Sequence, residues 1–140
     1  MHRVVIDTNV LLSALRSRSG ASFRLISLLN GERWCPVVSV ALILEYEEVA
    51  TREAMRLGLP EWVVESIIDT FCRLGARQAI RFRLRPALLD PDDDFLLELA
   101  VASRADFVVT YNLRDFRGAE QYGIRVVTPG AFLRTIGEWP

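Results

Sequence analysis

VVIDTNVLLSAL, Val4–Leu15, runs an unbroken β-branched segment into an aspartate and then into a helical pattern. Valine and isoleucine side chains fit a pleated, packed surface, so Arg3–Ile6 reads as a strand. The segment is continuously apolar rather than alternating, as expected of a parallel strand covered on both faces. Asn9 to about Arg16 then reads as a helix. Between the two stands Asp7. It is either a cap for that helix, with Thr8 and Asn9 beside it, or a group at a strand's carboxyl end, where open α/β sheets bind ligands.

The same alternation of short strand and longer helix continues along the chain. Ser22–Asn30 reads as a helix stopped by Gly31, and Trp34–Val38 as a second strand. Ser39 is a good N-cap for a helix that runs to Gly58. Pro60 opens another helix, EWVVESIIDTFCRL, ending at Gly75. Gln78–Leu84 reads as a weaker third strand, and the acidic stretch after it as the start of a helix that continues to Ser103. Asp106–Thr110 and Ile124–Val127 are the fourth and fifth strands. Thr128-Pro129 forms an N-cap followed by an N1 proline, opening a last helix that carries Phe132 and Leu133. Strands alternating with helices build parallel βαβ units. The expected fold is therefore α/β, a three-layer sandwich around a central parallel sheet of about five strands.

The composition narrows the possibilities. A chain of 140 residues, 51% of them hydrophobic, supports a real core and is expected to form one domain over residues 1–140. The net charge is −1 and all 17 basic residues other than histidine are arginines. No run of about 18 apolar residues suggests a membrane span, and the N-terminus lacks the layout of a signal peptide. Cys35 and Cys72 lie in apolar surroundings and form no metal-spaced motif. The expectation is buried thiols in a reducing cytoplasm.

Against that near-neutral background, LDPDDDFLLELA, Leu89–Ala100, places four aspartates within five residues at the mouth of a helix. Two like charges ~4 Å apart repel by about 4 kcal/mol at an effective dielectric near 20. One aspartate, Asp90 or Asp92, serves as a cap, but capping needs one side chain or two, not four. Other acids fall near the same predicted edge. Asp7 closes the first strand, and Asp115 lies five residues beyond Thr110. Glu45 stands about two turns into the helix after the second strand, next to apolar Leu42, Leu44 and Val49, whereas Glu47 and Glu48 look solvent-facing. Each acid alone has a bland explanation as cap, turn or surface residue. A divalent cation accounts for Asp7, Glu45, one or more of Asp92–Asp94, and Asp115 together. Mg²⁺ and Mn²⁺ prefer carboxylate oxygens and water to histidine or thiolate.

Absent residues sharpen the chemistry. The only histidine is His2, beside the terminus, so histidine acid–base catalysis is not expected. Without lysine there is no phosphate-binding GxxxxGK[ST] loop, and no GxSxG elbow is present. Receiver domains and haloacid-dehalogenase-type phosphatases also carry an aspartate at a first-strand end, but both use a lysine. The phosphatases need a second aspartate where this chain has Asn9. An acid-only metal site remains, and it suits phosphodiester hydrolysis, in which the ion lowers the pKa of water and stabilises charge on phosphate.

At these residues the chain resembles the PIN-domain ribonucleases, in particular the VapC-like toxins of toxin–antitoxin pairs. VVIDTNVLLSAL resembles the family's opening strand with its first acid at Asp7, and SVALILEYEEV resembles the segment bearing its glutamate at Glu45. DPDDDFLLELA matches the acidic helix start, and VVTYNLRDF matches a TxNxxDF segment with Thr110, Asn112 and Asp115. VVTPGAFL resembles the closing strand and helix. The motifs occur in the family's order over nearly the whole chain. The resemblance implies cleavage of single-stranded RNA with Mg²⁺ or Mn²⁺. It implies Asp7, Glu45 and Asp93 as metal ligands and catalytic acids, with Asp115 as a direct or water-mediated ligand. Asp94 would be a neighbouring ligand, the choice between it and Asp93 staying open. Thr8, Thr110 and Asn112 would orient water or carboxylates. The family also implies a homodimer and a small antitoxin protein that blocks the site.

On the substrate side, Arg114 and Arg117 flank Asp115 and are the candidates for holding RNA near the metal. Arg81, Arg83 and Arg85 alternate and would share one strand face, as phosphate contacts or as the solvated face of an edge strand. Trp34, Trp62 and Trp139 read as packing residues. The alternative function is a catalytically weak PIN-like module that binds RNA or a protein.

Overall fold

The computed structural model describes residues 1–77 and 91–140, excluding the side chains of Arg77 and of residues 91–94. Its strands are β1 (His2–Ile6), β2 (Trp34–Val38), β3 (Ala76–Arg77), β4 (Phe107–Val109) and β5 (Arg125–Val127). The helices are α1 (Thr8–Arg16), α2 (Ala21–Ser27), α3 (Val40–Leu57), α4 (Glu61–Leu74), α5 (Pro91–Ala102) and α6 (Pro129–Thr135). All strands pair in parallel in the order β3-β2-β1-β4-β5. The architecture is the expected α/β sandwich with a central parallel sheet.

β1 is the middle strand. Val4 pairs with Pro36 of β2 on one side and with Phe107 of β4 on the other. Val4, Val5 and Ile6 are fully buried, which is why this strand has no polar alternate positions. From β1 the chain builds outward through β2 to β3, then returns to the opposite flank of β1 for β4 and β5. The winding therefore reverses between β1 and β4, and the carboxyl ends of those two strands are where such sheets place their ligand crevice. The residues directly after them are Asp7 and Thr110.

The helices bury one stripe each. In α3, Leu42, Tyr46, Ala50 and Ala54 recur at four-residue spacing and all are buried. Its ends follow the sequence signals: Ser39 Oγ accepts from the Leu42 amide at 3.1 Å, and Gly58 takes a left-handed φ of 71°. Thr128 Oγ1 caps α6 by accepting from the Ala131 amide at 3.2 Å. In α5, Leu96, Leu97, Leu99 and Ala100 are all buried, so that helix is apolar around most of its circumference where it packs on the sheet. Phe132 of α6 stacks edge-to-face on Trp34 of β2 and Phe107 of β4, with ring centroids 5.7 and 5.0 Å apart.

Several expectations need correction. α2 stops at Ser27 rather than Asn30, because the backbone tightens into turns in which the Gly31 amide bonds to the Leu28 carbonyl. The segment between β4 and β5 forms two 3-10 turns, Leu113–Phe116 and Ala119–Tyr122, that no periodicity announces. Cys35 and Cys72 are half-buried rather than buried, and they form no disulfide. Trp34 packs in the core and Trp139 against it, but Trp62 is 67% exposed. Leu44 is exposed on α3, although Leu42 is buried beside it. The third strand expected over 78–84, with Arg81, Arg83 and Arg85, lies outside the described residues, as does Asp90. The described β3 begins earlier, at Ala76. No described helix is long and apolar enough to cross a membrane.

Candidate active site

Asp7 is 8% exposed and sits at the N-cap position of α1, with extended backbone. Its side chain makes no capping hydrogen bond there. The carboxylate instead reaches across the crevice, where Thr110 Oγ1 donates to Asp7 Oδ2 at 2.7 Å. The backbone holds the same two points in register, because the Asp7 amide bonds to the Val109 carbonyl at 2.9 Å. Asp7 thus stands at the cap position while its carboxylate is held across the sheet by Thr110.

Thr110 is fully buried and its hydroxyl is a junction. Besides donating to Asp7, it accepts from the Asn112 amide at 3.0 Å and lies 3.4 Å from the donating Asn9 Nδ2. The bond from residue 112 back to the hydroxyl of residue 110 is a local turn closed by a threonine side chain, and it bends the chain sharply out of β4. Asn112 therefore supports the site through its backbone, while its side chain is exposed. Asn9, which the sequence suggested only as a helix-cap neighbour, is a second link between α1 and the β4 end.

Glu45 approaches from α3. It precedes Tyr46 by one residue, about 100° around the helix from the buried stripe, so it sits at the margin of that stripe and leans over the sheet edge. Thr8 Oγ1 donates to Glu45 Oε2, tying the glutamate to the first turn of α1. Tyr46 was not among the residues expected to matter. It is fully buried, and its hydroxyl donates to the carbonyl of Ile6, the residue before Asp7. A tyrosine one step from an acid on a core stripe was the available signal.

Burial of Asp7 pushes its carboxyl above the usual value, and the negative charge of Glu45 adds to the shift. The Thr110 hydroxyl and the nearby Asn9 and Thr8 amides oppose it without cancelling it. Burial also drives the Tyr46 phenol far upward, reinforced by the charges of Asp7 and Glu45, so it remains a neutral donor. Glu45 is thus held close enough to disfavour the charge of the largely buried Asp7. A cation is the natural complement.

The donors here are all oxygens: two carboxylates and the Thr8 and Thr110 hydroxyls. That set suits a hard divalent ion rather than a thiolate- or imidazole-seeking metal. Asp115 lies on the 3-10 turn after β4, half-buried, at the same sheet edge. Among the described residues, however, no three acids, histidines or cysteines stand close enough to hold one ion. Asp115 is therefore not gathered into one cluster with Asp7 and Glu45. The side chains of Asp93 and Asp94 lie outside the described residues, but α5 does begin within their stretch, at Pro91. Arg114 and Arg117 are exposed on and beside the 3-10 turn, with no carboxylate partner among the described residues.

Fold and site together define an open α/β domain whose ligand crevice is lined with acids. A family model described as PIN domain matches residues 3–114, and the chain belongs to the PIN-domain family. PIN domains are generally nucleases that work with divalent metal ions, which places the chain in a class of phosphodiester hydrolases. No curated protein matches the chain.

Proposed function

We propose that this protein is an endoribonuclease that hydrolyses phosphodiesters of single-stranded RNA with Mg²⁺ or Mn²⁺, and that it is the toxin of a VapC-like toxin–antitoxin pair acting in the cytoplasm. The observation that carries the reading is the pairing of Asp7 with Glu45 at the β1/β4 crevice, with Thr110 anchoring one and Thr8 the other. Asp7, Glu45 and Asp93 are the proposed ion ligands, with Asp94 as neighbour and Asp115 acting directly or through water. When bound, the ion would activate water and neutralise charge developing on the phosphate.

The chain's own groups set the stage for that chemistry. Thr110 fixes one oxygen of Asp7. Thr8 does the same for Glu45. Arg114 and Arg117, both exposed, supply positive charge for the phosphates on either side of the cut. A homodimer, blocked by a small antitoxin, completes the proposal.

The test is cleavage of a labelled single strand, with duplex RNA and single-stranded DNA as controls, in Mg²⁺, Mn²⁺ and chelator. Metal-dependent cutting of the RNA strand, lost in Asp7→Asn, is expected. No cutting, or cutting that survives both chelator and Asp7→Asn, overturns the nuclease reading. For the toxin role, induced expression should arrest growth for wild type and not for Asp7→Asn. Co-expression of the neighbouring reading frame should relieve the arrest and co-purify with the protein. Growth unaffected by wild type removes the toxin role while leaving the nuclease in place.

A further inference from the structure

Tyr111 directly follows Thr110, yet nothing in the metal chemistry uses it. Two helices, α1 and α2, converge on it. Its hydroxyl shares a 2.6 Å hydrogen bond with Ser22 Oγ of α2, a side chain 1% exposed. Ser13 Oγ of α1 donates to the same hydroxyl at 3.5 Å. Its amide donates to Asn9 Oδ1 at 3.4 Å. Despite this anchoring, Tyr111 is 45% exposed.

A tyrosine that served only to tie α1 and α2 to the end of β4 would bury its ring along with its hydroxyl. Here the hydroxyl is fastened to α1 and α2 while the residue stays 45% exposed, next in sequence to Thr110 of the acid site. Such a ring has little rotamer freedom left to lose when a flat ligand covers it. The chemistry next to it points the same way. Leu113 is 43% exposed, and the exposed guanidiniums of Arg114 and Arg117 follow within six residues. An anchored aromatic with exposed cations beside it, unpaired among the described residues, is the combination that binds single-stranded nucleic acid, the bases stacking while the phosphates meet the charge.

We infer that Tyr111 is a stacking platform for one nucleobase of the substrate strand, adjacent to the phosphate that lies over Asp7. The inference rests on the nuclease reading of the Asp7 site. It adds a reason for single-strand preference, since a base can cover the ring only when it is free of its own stack and partner. It gives affinity without a fixed sequence, because every base has a π-face.

The test is steady-state cleavage, in Mn²⁺, of single-stranded RNAs that carry one abasic nucleotide at each position around the cut. Wild type, Tyr111→Phe and Tyr111→Leu are compared. For wild type, removing the base at one position should lower kcat/KM by about 5- to 160-fold, the range that base–aromatic stacking energies imply. Tyr111→Leu should cut the intact strand as poorly as wild type cuts that abasic strand, mainly through KM, and should lose nothing further on the abasic strand. Tyr111→Phe keeps the ring and should stay within a few-fold of wild type. A wild-type KM for Tyr111→Leu on intact RNA overturns the inference. So does an abasic penalty that persists undiminished in Tyr111→Leu, since the base is then read elsewhere. An equal fall in kcat on every substrate shows a purely structural tyrosine and also overturns it. Wild type that cuts no RNA defeats the nuclease reading itself, a result distinct from any of these.

Discussion

Asp7 is under opposing demands. Folding buries it beside Glu45, which disfavours its charge, while the proposed chemistry needs that charge. Its carboxyl is raised above the ordinary value of 3.8. The folded protein therefore holds this proton more tightly than the unfolded chain does. The resulting penalty is absent below the unfolded value, grows as pH rises through it, and is complete above the raised value. Asp7→Asn keeps the shape and removes the charge. Without metal at pH 7 it should be at least as stable as wild type by urea unfolding, while RNA cleavage disappears. A markedly less stable variant would make Asp7 a structural residue. Tyr46 illustrates the converse case, a polar group fully satisfied in the dark interior. Tyr46→Phe should cost about 1 kcal/mol in denaturant unfolding, the usual value for one buried neutral hydrogen bond. An unchanged midpoint would mean that the Ile6 carbonyl is adequately bonded without it.

Helix α3 connects the site to the rest of the fold. Its first half carries Glu45 and Tyr46 to the crevice. Its second half is tied to α1 by Glu53, which accepts from Arg16 Nε at 2.8 Å and from Arg56 one turn along. Arg56 and then Arg16 hold the Glu53 carboxyl down to about 2. A depressed carboxylate contributes stability that is present above its unfolded pKa and is lost as pH falls through the folded one. Glu53→Gln should therefore lower the urea midpoint at pH 7, and the gap from wild type should close between about pH 4.5 and 2. High salt should narrow the gap at neutral pH, because both arginines are largely exposed. A gap independent of pH would assign the loss to packing. At the start of α5 the two adjacent aspartates cannot both point squarely at one ion. Asp93→Asn is expected to damage cleavage much more than Asp94→Asn, and the reverse order would shift the ligand by one residue.

At the scale of the whole domain, the proposed ion would act on the sheet as a unit. Asp7 and Glu45 come from the end of β1 and from α3 where the winding reverses, so the proposed ion would bridge those two elements and, with Asp93 as its proposed third ligand, α5 as well. Binding to the folded state alone adds about 2.7 kcal/mol at a hundredfold excess over the dissociation constant. It also relieves the repulsion between Asp7 and Glu45. Mn²⁺ should raise the thermal midpoint of wild type at pH 7 and do little for Asp7→Asn, with chelator reversing the first effect. A wild-type midpoint indifferent to Mn²⁺ would remove the metal from the proposal.

Strands, helices, caps and the acid at the first strand's end were legible along the chain, because each depends on neighbours within a few residues. Val4–Ile6 could only be a covered strand, Ser39 and Thr128 could only gain by capping, and Gly58 could take the left-handed turn. The order of the strands was not legible in that way. It follows from which faces pack together, and it is what sets Asp7 beside Thr110 across 103 residues of sequence. The same holds for Tyr46 under Ile6, for Thr8 on Glu45 and for the tethering of Tyr111 by Ser22. Each is a hydrogen bond between elements far apart in the chain, with no local pattern to announce it. Composition and spacing specified which acids were available; only the packing of α1 and α3 against the ends of β1 and β4 decided that Glu45 would stand close enough to oppose the charge of the buried Asp7.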